Sequence, residues 1–234
     1  MKEAIRKHAL ELGFDLVGFA DANFLGEAPQ GKRPVDYLPK ARTLISLGKS
    51  LNRGSLVNLD KTRNQYYMEY LTCNALVDSL TFRLVNWLDT KEVISIPIGT
   101  SGHPDLHKEL AGDISSKHAA VAAGLGLFGI NNLLITPEYG PRLRLATIIT
   151  EADLPPDRPL GEAVQKKLKE GCETCRKCVE GCPTGAFHNW EKEFSPVTGW
   201  RIEKEKCFHY QNICLSGKRC GLCVAACPQA VYGN

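Results

Sequence analysis

Cys172, Cys175, Cys178 and Cys182 follow the spacing C-x2-C-x2-C-x3-C, with Pro183 after the last of them. Three thiolates spaced three apart on a tight loop can reach three corners of one iron–sulfur cube. The fourth, one residue further on and braced by proline, points away and ligates a second cube. A second run must therefore exist, and Cys220, Cys223 and Cys227, followed by Pro228, provide it. The chemistry of two such [4Fe–4S] clusters is one-electron transfer at low potential.

The second run is one ligand short, because Gly217 stands where its first cysteine would be. The missing thiolate has to come from upstream, where Cys207 and Cys214 are the candidates. The spacing predicts a crossed arrangement. Cys172, Cys175, Cys178 and Cys227 hold one cluster; Cys182, Cys220, Cys223 and either Cys207 or Cys214 hold the other. Structural zinc needs only four thiolates in paired knuckles, fewer than the nine cysteines clustered here. A disulfide scaffold calls for an oxidising compartment and a short secreted chain.

The elements that must position these residues fall on either side of the proline-rich stretch 151–160 (EADLPPDRPL), which reads as a linker. Every cysteine except Cys73 lies beyond it. We expect two domains, 1–155 with a hydrophobic core of its own and 156–234 held together by metal ligation. The 234 residues suffice for one substantial domain and one small one. In the larger part, helices are expected over 2–12, 62–89 and 115–124, and strands over 15–20, 43–48, 93–98, 132–136 and 143–150, a mixed α/β or α+β pattern. Tyr66, Tyr70, Cys73, Val77, Leu80, Leu84 and Leu88 recur every three or four residues, the buried stripe of a long helix. On that stripe Cys73 reads as a buried, inert thiol.

Gly124-Leu125-Gly126-Leu127-Phe128-Gly129 is a literal G-x-G-x-x-G. A dinucleotide site needs a strand before it and a helix after it, and here the order is reversed. The glycines instead mark a sharp turn, or a close approach to something wide and flat. The six histidines, His8, His103, His107, His118, His188 and His209, are scattered over a surface helix, a loop, the Ala-rich helix and the cysteine-rich part, and read as solvated or hydrogen-bonded. Met1 to Phe14 is charged throughout, unlike a secretory leader, and no stretch approaches the ~20 apolar residues of a membrane span. Reduced thiols and no export signal predict the cytoplasm. A net charge of +3 without a lysine or arginine run gives no reason to expect nucleic acid as a partner.

Residues 4–20 (AIRKHALELGFDLVGFA), 38–47 (LPKARTLISL) and 114–149 (ISSKHAAVAAGLGLFGINNLLITPEYGPRLRLATII) resemble the epoxyqueuosine reductases and their shorter relatives. Gly199-Trp200 through Cys207-Phe208-His209-Tyr210 and on to Pro228 also resembles reductive dehalogenases. The resemblance implies an α+β chain: a nitroreductase-like, cobalamin-binding α/β domain followed by a bacterial-type two-[4Fe–4S] ferredoxin domain. It implies a base-off cobalamin in the larger domain, reduced from Co(II) to Co(I) through the clusters, with Gly124, Gly126, Gly129, Asn131 and Asn132 at the corrinoid. It also favours Cys207 over Cys214 as eighth ligand, and a ferredoxin or flavodoxin as electron donor, with a corrinoid protein as a further partner.

The chain departs from the epoxyqueuosine pattern at Leu127 and Ile130, where tryptophan and lysine are usual. Asp113 is spaced differently from the acidic residue of that pattern, and the chain stops soon after the second run, so transfer RNA is not expected as substrate. Tyr66, Tyr67 and Tyr70 have the chemistry of proton donors and the placement of ordinary helix residues. Two functions are thus expected. The first is a cobalamin-linked iron–sulfur reductase acting on a small substrate or on a corrinoid. The second is an electron-transfer or adaptor protein whose N-terminal domain binds a flavin or a protein partner.

Overall fold

The computed structural model describes residues 1–100, 110–187, 194–195 and 199–231; His103, His107 and His188 lie outside them. In chain order the first elements are α1 (Lys2–Leu12), β1 (Leu16–Asp21), α2 (Pro34–Tyr37), β2 (Thr43–Ser50) and α3 (Arg53–Val57). The long α4 (Asn64–Asp89), β3 (Ser95–Ile98), α5 (Ser116–Ala122), β4 (Leu127–Phe128), β5 (Leu134–Ile135) and β6 (Leu143–Thr150) follow. The cysteine-rich part contains α6 (Glu162–Cys175), α7 (Lys177–Glu180), the short strands β7 (Phe194–Ser195) and β8 (Gly199–Trp200), α8 (Lys204–His209), α9 (Leu222–Ala225) and α10 (Pro228–Val231). Among the described residues no helix is long and apolar enough to cross a membrane.

Two compact units are each assembled from separate stretches of chain. The first comprises residues 1–49, 73–125 and 144–160. Its four-stranded sheet has the order β1-β2-β6-β3, with β1 antiparallel to β2 and β3 antiparallel to β6. Strands β1, β2 and β6 are buried over most of their length, as β-branched runs such as Thr147-Ile148-Ile149-Thr150 require; of β3 only Ile98 is buried. Val77, Leu80, Leu84 and Leu88 of α4 are buried as their spacing predicts, and Cys73 is buried beside them on the same stripe. Leu44, Ile98, Ile114, Ala119 and Ile149 share one apolar cluster. Gly18 lets β1 approach α5, since a Cβ there would stand 2.8 Å from that of Ala123.

Residues 151–160 wrap back onto this unit and are pinned by Asp157. Its carboxylate accepts two bonds from Arg6, at 2.7 and 2.9 Å, and one from the Phe19 amide at 3.0 Å; Lys2 lies 2.7 Å away. Burial pushes this carboxyl up, but the bonds from Arg6, Lys2 and Phe19 outweigh it and hold it below the usual carboxylate range. A depressed carboxyl stabilises the fold fully above its unfolded pKa of ~3.9 and loses that contribution as pH falls through the lower folded value. Charge-assisted bonds of this kind, discounted for partial exposure, are worth about 1.5 kcal/mol here. Asp157→Asn is therefore expected to lower the unfolding midpoint by roughly 3–6 °C at pH 7. The gap to the unsubstituted chain should stay constant down to about pH 4 and close below it, which denaturant titrations across that range would show.

The second unit comprises residues 50–72, 126–143 and 161–234. It therefore gathers α3, the first two turns of α4 and the hairpin of β4 and β5 together with both cysteine runs. The stretch 132–136, expected as one strand, contributes only the short β5. This strand pairs with β4 in the register Leu127↔Ile135 and Phe128↔Leu134. The strand β4 itself, inside the glycine loop, was not apparent from periodicity because it is only two residues long.

Candidate metal centre

All eight cysteines expected to ligate iron lie in the second unit, and local backbone explains how each run presents its thiols. Cys172 and Cys175 occupy the last turn of α6. The next residue, Arg176, adopts a left-handed conformation (φ 50°), which ends α6 and starts α7 with Cys178 on it. The second run repeats the device: Gly221 after Cys220 is left-handed (φ 70°), and α9 then carries Cys223. A left-handed residue between the two cysteines of each C-x2-C turns both thiols to one side of the chain. The matching helices α7 and α9 pack on one another. Ser216 (φ 51°) and Gly217 (φ 82°) are both left-handed as well. The position that lacks its cysteine thus lies in a left-handed turn of the kind that suits glycine.

The thiols fall into two sets by their influence on one another. Burial first, then Cys172, Cys227 and Cys175, pushes the Cys178 thiol up to about 12. Cys227 is raised by burial and by Cys172 and Cys175, against amide N–H bonds from Gln229 and Ala230. Cys223 is raised by burial, then by Cys220, Cys207, Cys178 and Cys182. Cys207 is raised by burial and by Cys220 and Cys182; the Gln211 amide and the Arg219 charge act the other way. Cys172, Cys175, Cys178 and Cys227 thus act chiefly on one another, and so do Cys182, Cys207, Cys220 and Cys223, with Cys178 and Cys223 in contact where the two sets meet. Cys214 is exposed and belongs to neither set.

Buried thiols with raised pKa are poor free thiolates, and a cationic iron cluster supplies the compensating charge that water does not. Among the described residues no three Cys, His, Asp or Glu side chains are grouped to hold a single metal ion. A tetrahedral zinc would draw its sulfurs to within about 3.8 Å of each other, whereas the corners of a cube keep them further apart. Four thiols in each set match the four-cysteine donor set of an iron–sulfur cube.

Residues far away in sequence support the runs. The Ile130 amide donates to Cys172, and its side chain, 1% exposed, packs against Cys178, with Cys172, Val179 and Cys223 around them. Asn131 donates to the Cys223 carbonyl at 3.4 Å and accepts from the Leu133 amide at 3.1 Å. Asn132 is buried and left-handed (φ 57°), closing the turn between β4 and β5 through its bond to Gly129 at 2.8 Å. The start of α4 serves the second run. Arg63 donates to the Cys220 carbonyl, Lys218 to Asn64 at 2.9 Å, and Arg219 lies over the Tyr70 ring. Tyr66 is buried against Gly221, where a Cβ would stand 2.4 Å from its ring. That tyrosine packs where a proton donor would have to be open, and no local signal linked it to a run some 150 residues on.

The glycines expected at a corrinoid are packed against the protein itself. A Cβ at Gly124, which is left-handed (φ 70°), would stand 2.2 Å from the Arg158 carbonyl oxygen. One at Gly126 would stand 2.4 Å from the Ile135 carbonyl oxygen, and one at Gly129 would stand 2.6 Å from the Ile135 side chain. Of the histidines, His118 is buried with its Nδ1 2.6 Å from the Ser115 hydroxyl. Burial first, then the charge of Lys117, lowers it to about 4, so it is neutral near pH 7. His8 stacks on Trp87 at 4.7 Å.

Residues 171–231 match the family described as the 4Fe-4S dicluster domain. The chain is 38% identical over 117 residues to the tetrachloroethene reductive dehalogenase of Sulfurospirillum multivorans, covering 47% of this chain and 22% of that protein. It is 31% identical over 99 residues to the epoxyqueuosine reductase of Bacillus anthracis, covering 42% of this chain and 22% of that protein. The aligned part thus spans about a fifth of these curated relatives. A solved reductive dehalogenase, described as suggesting a mechanism for B12-dependent dehalogenation, matches with a TM-score of 0.79 at 20% identity over 97% of this chain and 32% of that chain. At that identity the likeness is one of fold. The chain is a mixed α/β protein with a dicluster ferredoxin-type domain, related to iron–sulfur reductases of both kinds.

Proposed function

We propose that this chain is an iron–sulfur oxidoreductase with one [4Fe–4S] cluster on Cys172, Cys175, Cys178 and Cys227 and another on Cys182, Cys207, Cys220 and Cys223. The observation that carries the proposal is the gathering of eight thiols into two crossed sets. Each cluster, when bound, supplies a one-electron couple. The protein's part is to hold the thiolates, exclude water and direct the N–H groups of Ile130, Gln229 and Ala230 at the sulfurs. Electrons come from a ferredoxin or flavodoxin, and the number of reduced thiols suits the cytoplasm. Residues 156–234 supply every ligand; residues 1–155, read as a nitroreductase-like domain, are assigned to the electron acceptor.

For that acceptor we propose a base-off corrinoid, taken from Co(II) to Co(I) for reduction of a small substrate or for activation of a corrinoid protein. The relatives support this reading. The glycine loop does not add to it. Protein atoms occupy the space beside Gly124, Gly126 and Gly129, and Asn131 is engaged by Cys223 and Leu133. We assign no residue of that loop to a corrinoid. The same observation favours a second reading, an electron-transfer or adaptor protein whose N-terminal part binds a flavin or a protein partner.

Anaerobic titration of the cluster-loaded chain with cob(II)alamin separates the two. A base-off paramagnetic signal that disappears on adding a low-potential reductant is the expected result. An unchanged base-on signal beside intact cluster spectra would overturn the corrinoid assignment and leave the second reading.

A further inference from the structure

Cys172 and Cys227 receive their sulfur-directed hydrogen bonds from backbone amides, which only a substitution to proline would remove. Cys207 is different, because its donor is a side chain. Gln211 Nε2 lies 3.2 Å from Cys207 Sγ and 3.3 Å from the Cys207 carbonyl oxygen. The carbonyl oxygen only accepts, so the amide nitrogen must face it, and its two protons serve one acceptor each. The geometry follows from the helix. Gln211 is four residues after Cys207, and a long helical side chain leans back over the preceding turn, onto the residue four before it. Gln211 is the second residue of the single π turn, Tyr210–Cys214, that follows α8. The exposed Cys214 ends that turn.

We propose that Gln211 sets the reduction potential of the second cluster by hydrogen bonding to the sulfur of Cys207. The inference rests on the two-cluster reading above. A reduced cluster carries one more negative charge, spread in part over its sulfurs. An N–H donor stabilises that charge, and hydrogen bonds to the sulfurs are among the determinants of cluster potential. Gln211 is thus a positioning residue that touches a ligand and no reacting atom.

The test uses the full chain loaded with both clusters and potentiometric titration followed by paramagnetic resonance. The signal missing from Cys207→Ser identifies the second cluster. Gln211→Met keeps the length and removes both donors; Gln211→Glu keeps the shape and offers only acceptors. At a fixed potential the reduced-to-oxidised ratio of the second cluster should fall about tenfold in Gln211→Met, equal to ~59 mV for one electron. It should fall further in Gln211→Glu. Iron content and the first cluster should stay unchanged. Unmoved potentials in both variants, a joint shift of both clusters, or loss of iron in both variants would each overturn the proposal. Two intact clusters with unmoved potentials would sink this inference alone. An unsubstituted chain that takes up no second cluster would sink the cluster reading as well.

Discussion

Replacing Cys207 with serine is expected to halve the iron content of the protein, from about eight atoms per chain to about four, whereas Cys214→Ser leaves it unchanged. The two cysteines are seven residues apart on one helical segment, and spacing alone did not choose between them. Their surroundings differ. Cys207 neighbours Cys182 and Cys220, accepts a bond from Gln211 and feels the charge of Arg219. Cys214 is exposed on the π turn. Serine is a much weaker iron ligand than thiolate, so a cube on three remaining cysteines should be lost during purification. Iron analysis and the count of cluster signals would read the result directly. Loss of iron from Cys214→Ser with full retention in Cys207→Ser would reverse the assignment. The crossed arrangement makes a companion prediction: Cys182→Ser should remove the second cluster and Cys227→Ser the first, although each lies in the opposite run.

The second large effect is expected in the glycine loop, and without any corrinoid present. Gly124→Ala forces a non-glycine residue into a left-handed conformation and drives its Cβ to 2.2 Å from the Arg158 carbonyl oxygen. The conformation costs roughly 1–2 kcal/mol, and displacing a packed backbone adds about 1–3 kcal/mol more. With a midpoint shift of roughly 2–4 °C per kcal/mol for a chain of this size, a fall on the order of 10 °C follows. Gly126→Ala needs no unusual backbone angle but meets the Ile135 carbonyl oxygen at 2.4 Å, so about half that loss is expected. Thermal unfolding of both variants with and without added cob(II)alamin is the measurement. Variants as stable as the unsubstituted chain, with weakened corrinoid binding, would mean that the glycines face a ligand. Destabilisation that is the same with and without corrinoid would mean that they serve the packing seen here.

The cluster chemistry was legible in the chain because it depends on residue type and short spacing. Three thiols three apart and a fourth before proline fit one polymetallic geometry, whatever surrounds them. The long helix and the sheet strands were legible for a similar reason. The stripe from Cys73 to Leu88 in α4 and the β-branched run of β6 express their periods locally. Their placement in the fold agrees with that expectation.

Only the tertiary structure decided what surrounds the thiols. Tyr66 against Gly221, Arg63 on the Cys220 carbonyl and Asn131 on the Cys223 carbonyl join residues about 90 to 160 positions apart, and no sequence period reports such a contact. The same is true of the glycine loop. A glycine states that a Cβ is not tolerated, but not what stands in its place; the fold answers with the carbonyl oxygens of Arg158 and Ile135. The difference between Cys207 and Cys214 is likewise one of burial and neighbouring charge, quantities that exist only once the chain has folded. What the sequence alone determined is which atoms can bind iron. The folded chain determined which thiols lie near one another and which groups act on their sulfurs, because ligation needs convergence in space and tuning needs contact.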